Sequence, residues 1–362
     1  MNDSNAVQAA SDNVSNNFVF DPASTWFMCG LYIILGTTAI CCNLLDIVVF
    51  CTNHELRRKY LFFMALDFGE LIDGLCYFLT SIGRGSAVLD GTFEKPISFH
   101  ACFFERYWVH ALIMGTEVPA LITIVLSIER ILAVYKPKFY STYVTTKTKI
   151  LSLVVVGLIE MCFLSLAGYS AYHNYEMANT RHCAVITSTS TFYATFHFSF
   201  VVSAYVVSFI CLLTIYIIHR KMRKNTSMKY GNKRDPQLVL FLCVTGTAMV
   251  MITFPSIVML GIRYRLFAVN DIVVGLMYST PGFMTVIDTI LNFIFRPEYR
   301  SQVKRLAKLK FDSAQAQTAV TVIRATMVMR GCTVADFKTQ ANWSDGPVSI
   351  APERKTRIRY AA

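Results

Sequence analysis

The chain has 362 residues, of which 54% are hydrophobic and only 16% charged, and its mean hydropathy is positive. A soluble domain carries about a quarter charged residues, so this balance points to lipid rather than water. The net charge of +11 does not mark a nucleic-acid binder, because the basic residues gather in alternate loops and after the last apolar run.

Residues 1–25 are polar and acidic, without the basic start or apolar core of a signal peptide, so the first helix is expected to direct its own insertion. Asn2-Asp3-Ser4 and Asn13-Val14-Ser15 are N-glycosylation sequons, with Asn2 and Asn13 as the acceptors. Apolar runs then follow at 27–52, 60–82, 107–135, 149–172, 191–219, 237–262 and 268–294. A helix needs roughly 20 apolar residues to cross about 30 Å of hydrocarbon, so these read as seven transmembrane helices.

The loops after the first, third and fifth runs carry Arg57, Arg58, Lys59, then Lys136, Lys138, Lys147 and Lys149, then a cluster from Arg220 to Arg234. The other loops mix signs. The positive-inside rule then sets residues 1–26 outside, 27–294 as the bundle, and the C-terminus in the cytosol of a multi-pass plasma-membrane protein.

After the seventh run, Phe295-Arg-Pro-Glu-Tyr-Arg300 leads into a basic amphipathic stretch, and 295–311 reads as a short eighth helix lying on the inner leaflet. Residues 312–362 are poor in bulky apolar side chains and are expected to be a disordered cytoplasmic tail. The fold class is therefore an all-α membrane protein. Most of the eleven cysteines sit inside apolar runs without metal-ligand spacing, so no metal and no cofactor is expected.

Ionisable groups inside apolar runs are costly, about 2.5–3.5 kcal/mol at a helix centre on insertion scales, and usually face an interior. Asp46, Asp67, Glu70, Asp73, Glu117, Glu160 and Asp288 are of this kind. Asp67 and Glu70 share a helical face, with Asp73 nearer the outer mouth. Together with Asn43 and Asp288 they form a candidate interior polar network or ion site. Such groups suit a transporter or channel as well as a receptor.

The inner end of the third run reads Ser127-Ile-Glu129-Arg130-Ile, followed by Lys136-Pro137 and Tyr140. Here the chain resembles the rhodopsin-like G-protein-coupled receptors, whose third helix ends in an acid followed by Arg, with a Pro and an aromatic in the next loop. An Arg at such a helix end pairs with its own neighbouring acid or another helix at rest, then extends to meet a G-protein helix. The resemblance spans about residues 25–310. Cys42-Asn43 stands at the family's Gly-Asn pair, and Cys102 and Cys183 at its extracellular disulfide. Thr253-Phe254-Pro255 carries the kinking Pro without the family's Trp. Asp288-Thr-Ile-Leu-Asn292 stands where the family has Asn-Pro-x-x-Tyr, lacking both Pro and Tyr. The resemblance thus makes Glu129, Arg130, Pro137, Tyr140, Pro255, Asp288 and Asn292 the activation switch.

The departures argue against an amine receptor, since Leu112 falls where the amine-binding acid would stand, and against an opsin, since the seventh run holds no lysine. The Glu-Arg-Ile ending, the acidic second run and the Phe-Arg-Pro-Glu-Tyr-Arg terminus look most like the divergent nematode serpentine chemoreceptors. Depth and side nominate Tyr107, Trp108, His110, Met114, Glu117, Phe192, Tyr193, Phe196, His197 and Phe254 as a ligand pocket. The expected partners are an extracellular ligand, a heterotrimeric G protein and membrane lipids. The rival is a seven-helix transporter or ion channel using the intramembrane carboxylates, although no internal repeat is visible. An enzyme is not expected, because no nucleophile elbow, zinc spacing or phosphate loop occurs.

Overall fold

The computed structural model describes residues 22–178, 180–226, 236–264, 266 and 271–308. The sequons at Asn2 and Asn13, the tail 312–362 and the basic stretch 227–235 lie outside the described residues. In chain order the elements are α1 Pro22–Cys51, α2 His54–Lys59, α3 Leu61–Leu89, β1 Ile97–Ser98, α4 Phe99–Glu105, α5 Tyr107–Tyr135, α6 Pro137–Tyr143, α7 Thr146–Tyr172, β2 Met177–Ala178, α8 Val185–Ser188, α9 Thr191–Thr226, α10 Pro236–Arg263 and α11 Asp271–Phe295. Residues 297–308 are again helical. Residues through Val303 form one compact unit; of the second, Lys304–Ala362, only 304–308 are described.

Among the described residues, six helices are long and apolar enough to cross a membrane: α1, α5, α7, α9, α10 and α11. The protein is thus a helical one with several candidate membrane spans. Helix α3 is as long, at 29 residues, but carries Asp67, Glu70, Asp73 and Arg84, which lower its apolar character. Asp67, Asp73 and Arg84 are buried against neighbouring helices, so the polarity is spent inside the protein.

The packing explains the topology. Helix α1 packs on α3, α3 on α5, α5 on α9, α9 on α10, α10 on α11, and α11 back on α1, closing a ring. Of the six candidate spans α5 is the most enclosed, with 61% of its apolar stretch buried, whereas α7 is the least, at 17%. Close approach of α1 and α3 depends on Gly36, where a Cβ would stand 2.8 Å from the Gly74 carbonyl oxygen. Helix α3 continues past the expected end at 82 to Leu89, since Gly83 lets the Trp108 ring of α5 pack directly on its backbone. Helix α9 runs on to Thr226 because Arg220, Lys221 and their neighbours are good helix formers outside an apolar layer.

Two pieces, a short strand pairing and the small helix α8, were not expected from the sequence. The short pairing Ile97↔Ala178 and Ser98↔Met177 joins two loops at one end of the bundle. Cys102 and Cys183 are disulfide-bonded there, as the resemblance implied. Helix α8 lies at the same end of the bundle, where Val185 and Ile186 pack with Trp108, Leu112, Tyr193 and Met259.

Candidate functional site

Helical phase divides the expected ligand pocket. Trp108 and Glu117 on α5 and Tyr193 and His197 on α9 turn inward and are buried. Tyr107, Phe192 and Phe254 face outward, at 52%, 69% and 60% exposure. Successive residues lie about 100° apart round a helix. The face of α10 carrying Ile252, Pro255, Ser256 and Met259 therefore turns Phe254 away. Met114 lines a separate apolar groove with residues of α1, α3 and α7. His110 packs edge-on against Phe103, with ring centroids 4.6 Å apart. Phe196 stacks on Phe200 of its own helix. The ten nominated residues thus do not form a single aromatic pocket.

What does form is a small, mostly apolar cavity of about 40 Å³ between α3, α5, α9, α10 and α11, with a few polar side chains in its wall. Asp73, Tyr77, Thr116, His197, Pro255 and Tyr278 line it, and Val185 of α8 closes it. Behind the His197 wall, Glu117 Oε1 lies 2.7 Å from His197 Nδ1 and accepts from the Tyr193 hydroxyl at 3.0 Å. The other His197 nitrogen lies 3.3 Å from the Thr116 hydroxyl. Glu160, on the neighbouring α7, is buried with neither carboxyl oxygen hydrogen-bonded among the described residues. Trp108 takes another role: its indole N–H donates to the Cys183 carbonyl at 3.2 Å, fixing the disulfide-bearing loop.

Midway through the bundle, the carboxylates expected as a network divide into two sets. Asp46 on α1 accepts from Asn292 Nδ2 at 3.1 Å, from the Thr289 hydroxyl at 3.4 Å and from the Tyr299 hydroxyl. Glu70 lies beside Asp288 and Thr285 of α11. Buried Asn43 Nδ2, Asp67 Oδ2 and Asp288 Oδ1 have no protein partner among the described residues. Groups of three or more His, Cys, Asp or Glu arranged to hold a metal ion are absent from the described residues.

At the far end, Glu129 is the hub. Lys149 Nζ of α7 lies 2.5 Å from its Oε1, and the Tyr140 hydroxyl donates to it at 2.9 Å. Pro137 occupies the first turn of α6, where its missing N–H costs nothing, and so sets up the short helix that carries Tyr140. Burial, reinforced by the Glu129 charge, pushes the Tyr140 hydroxyl up to about 12. Arg130 is 3.8 Å from Glu129 Oε2, too long for a strong bond, and its guanidinium instead covers the Phe241 ring of α10 at 4.9 Å. An adjoining recess of about 450 Å³ is lined by Arg58, Lys59, Arg130, Tyr140 and Lys149, with Glu55 at its edge.

The chain matches no family model and no curated protein.

Sequence reasoning missed four participants in these sites. Lys149 reads as an ordinary loop cation, but it is the first inward position of α7 and reaches the helix α5 acid. Phe241 is one apolar residue among many in α10. Tyr299 was read only as part of a terminal motif, yet its hydroxyl reaches Asp46 on the first helix. Arg296 is fully buried, with its guanidinium 3.7 Å from the Phe63 ring centroid and 4.6 Å from that of Tyr60. An Arg just past an apolar run was the available signal for Arg296; nothing local marks the other three.

Proposed function

We propose that the chain is a seven-helix plasma-membrane receptor of the rhodopsin-like type, with its N-terminus outside. In this reading a ligand enters from the disulfide end, and a heterotrimeric G protein binds at the Glu129-Arg130 end. Helix α3 is the seventh span, its carboxylates turned inward. The basic helical segment after Arg296 lies along the inner leaflet, where each cation gains on the order of 1 kcal/mol from anionic lipid.

The observation that carries the reading is that a single helix touches both ends. Helix α10 supplies Ile252, Pro255, Ser256 and Met259 to the outer cavity, and Phe241 to the face of Arg130. Pro255 removes one backbone hydrogen bond between them and provides a hinge. A ligand that binds better when the outer wall moves will tilt α10 about Pro255 and withdraw Phe241 from Arg130. Only such differential affinity shifts the two states. Arg130, released, is then free to meet carbonyl groups of a partner helix.

A ligand screen in cells carrying a promiscuous G-protein reporter tests this. Ligand-driven signalling by the wild type should vanish in Arg130→Ala while surface expression persists. Signalling that survives in Arg130→Ala would remove the switch assignment.

The proximity of Glu70 and Asp288 favours a second reading, a carboxylate-based transporter or channel, since neighbouring carboxyl groups inside a bundle can share a proton. Vesicles holding the purified protein separate the two: proton or cation flux without any G protein supports transport.

A further inference from the structure

Among the described residues, Arg84, near the outer end of α3, is a buried cation without a counter-charge. It is only 4% exposed. Its Nε donates to the His182 carbonyl at 2.9 Å, and its Nη2 lies 3.4 Å from His182 Nδ1. The guanidinium stands 5.8 Å from the Tyr32 ring centroid. Every one of these partners is neutral or a ring face. Among the described residues no carboxylate lies within 4.0 Å of Arg84. Buried charges are ordinarily paired, and an unpaired one costs several kcal/mol.

The guanidinium lines a cavity of about 20 Å³ together with Thr25, Met28, Cys29, Tyr32, His182 and Gly275, from α1, α11 and the loop that carries the disulfide. That volume holds one small polar group and little more. Tyr32 is fixed by donating its hydroxyl to the Gly275 carbonyl at 3.0 Å, and His182 by its neighbour Cys183 in the disulfide. The walls are therefore set before anything enters. A guanidinium offers a flat fork of N–H donors that matches a carboxylate with two parallel bonds.

We propose that Arg84 and this cavity form a binding subsite for the carboxylate of an organic acid, entering from the disulfide end between α1, α3 and α11. The proposal rests on the receptor reading for the sidedness of the site and names the ligand's charge. A flat head with two oxygens suits the space; a phosphate or sulfate, with its oxygens spread tetrahedrally, does not. The site is separate from the cavity beside His197, so a ligand that spans both carries its acid at the α1–α3 side and its neutral part beneath α8.

The test uses the purified full-length protein in nanodiscs at fixed ionic strength, with hexanoate and benzoate as probes and hexanamide and benzamide as matched uncharged controls. The acids are expected to raise the thermal midpoint, the amides not. Arg84→Met should raise the half-maximal acid concentration on the order of 10- to 100-fold, as loss of a charge-assisted pair does. Arg84→Lys keeps the charge, and therefore the fold, but loses the fork, and should fall between. Acids and amides acting alike, neither acid acting, or an unaltered acid response in Arg84→Lys and in a folded Arg84→Met would each overturn the subsite. Acid binding without nucleotide exchange would instead sink the receptor reading and leave the subsite standing.

Discussion

Arg130 is held by Phe241 rather than by a carboxylate. The guanidinium covers the α10 ring at 4.9 Å, while its own neighbour Glu129 stands 3.8 Å away and is occupied by Lys149. A cation over an aromatic face is worth about 0.5–2 kcal/mol, depending on how dry it is. Phe241 also packs on Phe63 with ring centroids 4.4 Å apart, and Phe63 carries Arg296 on its ring. Two arginines thus bracket a pair of rings from α3 and α10. Phe241→Leu keeps the volume but removes the π face. On the receptor reading, it should raise ligand-independent nucleotide exchange about 2- to 30-fold, the ratio that such an energy sets. An unchanged basal rate in a well-expressed variant would show that the ring does not restrain the resting state.

Lys149 and Glu129 form a buried pair joining α7 to α5, with Nζ and Oε1 2.5 Å apart. Removing one member of such a pair strands the other charge and costs about 3–5 kcal/mol. Tyr140 and Arg130 remain beside Glu129, which puts Lys149→Met at the lower end, about 3 kcal/mol. The double variant Glu129→Gln with Lys149→Met removes both charges and should recover most of that loss. A thermal-unfolding cycle over the four proteins measures the coupling. Additive losses would mean that the pair contributes nothing.

His182 gives a pH signature. Burial first, and the neighbouring Arg84 second, hold its imidazole well below the ordinary 6.5. The unfolded chain then binds the proton more readily than the folded one, so stability is full above about pH 6.5 and falls as pH drops below it, by up to about 1.4 kcal/mol per unit. The fall ends only once the folded imidazole itself protonates. Thermal midpoints of wild type and His182→Gln, compared from pH 7.5 down to 5, should converge as pH falls. Parallel curves would exclude His182 as the source.

How much of this was written locally in the chain follows from the range of each signal. The long helices were legible because apolar length is a property of contiguous residues, and Tyr107–Tyr135 begins and ends where the pattern does. Helix α3 was legible too, although its four ionisable residues weaken its apolar signal, because the run stays apolar on one face. The Glu129 and Arg130 site was found by position, but its real partners were not. Lys149 and Phe241 meet it from α7 and α10, and a single chain carries no record of which distant residues touch. The pocket fared worst. Depth along a helix can be counted from sequence, whereas direction depends on how each helix is rotated in the bundle. Phe254 and His197 were equal candidates by depth and lie on opposite sides of the packing boundary.

Tyr299 and Asp46 show the same limit across 253 positions of sequence separation. The Tyr299 hydroxyl donates to one oxygen of a buried carboxylate, while Asn292 and Thr289 serve the other. This fastens the chain just beyond α11 to the last two turns of α1. Tyr299→Phe leaves a buried carboxylate oxygen unsatisfied, which costs about 1–3 kcal/mol, whereas loss of an exposed phenol hydroxyl would cost almost nothing. Asp46→Asn keeps the shape but gives up the charge that strengthens the bond, so the double variant should lose less than the sum of the two by at least about 1 kcal/mol. Thermal midpoints of the four proteins in the same detergent decide it. Agreement with additivity to within about 0.3–0.5 kcal/mol would mean that the two side chains do not meet in solution.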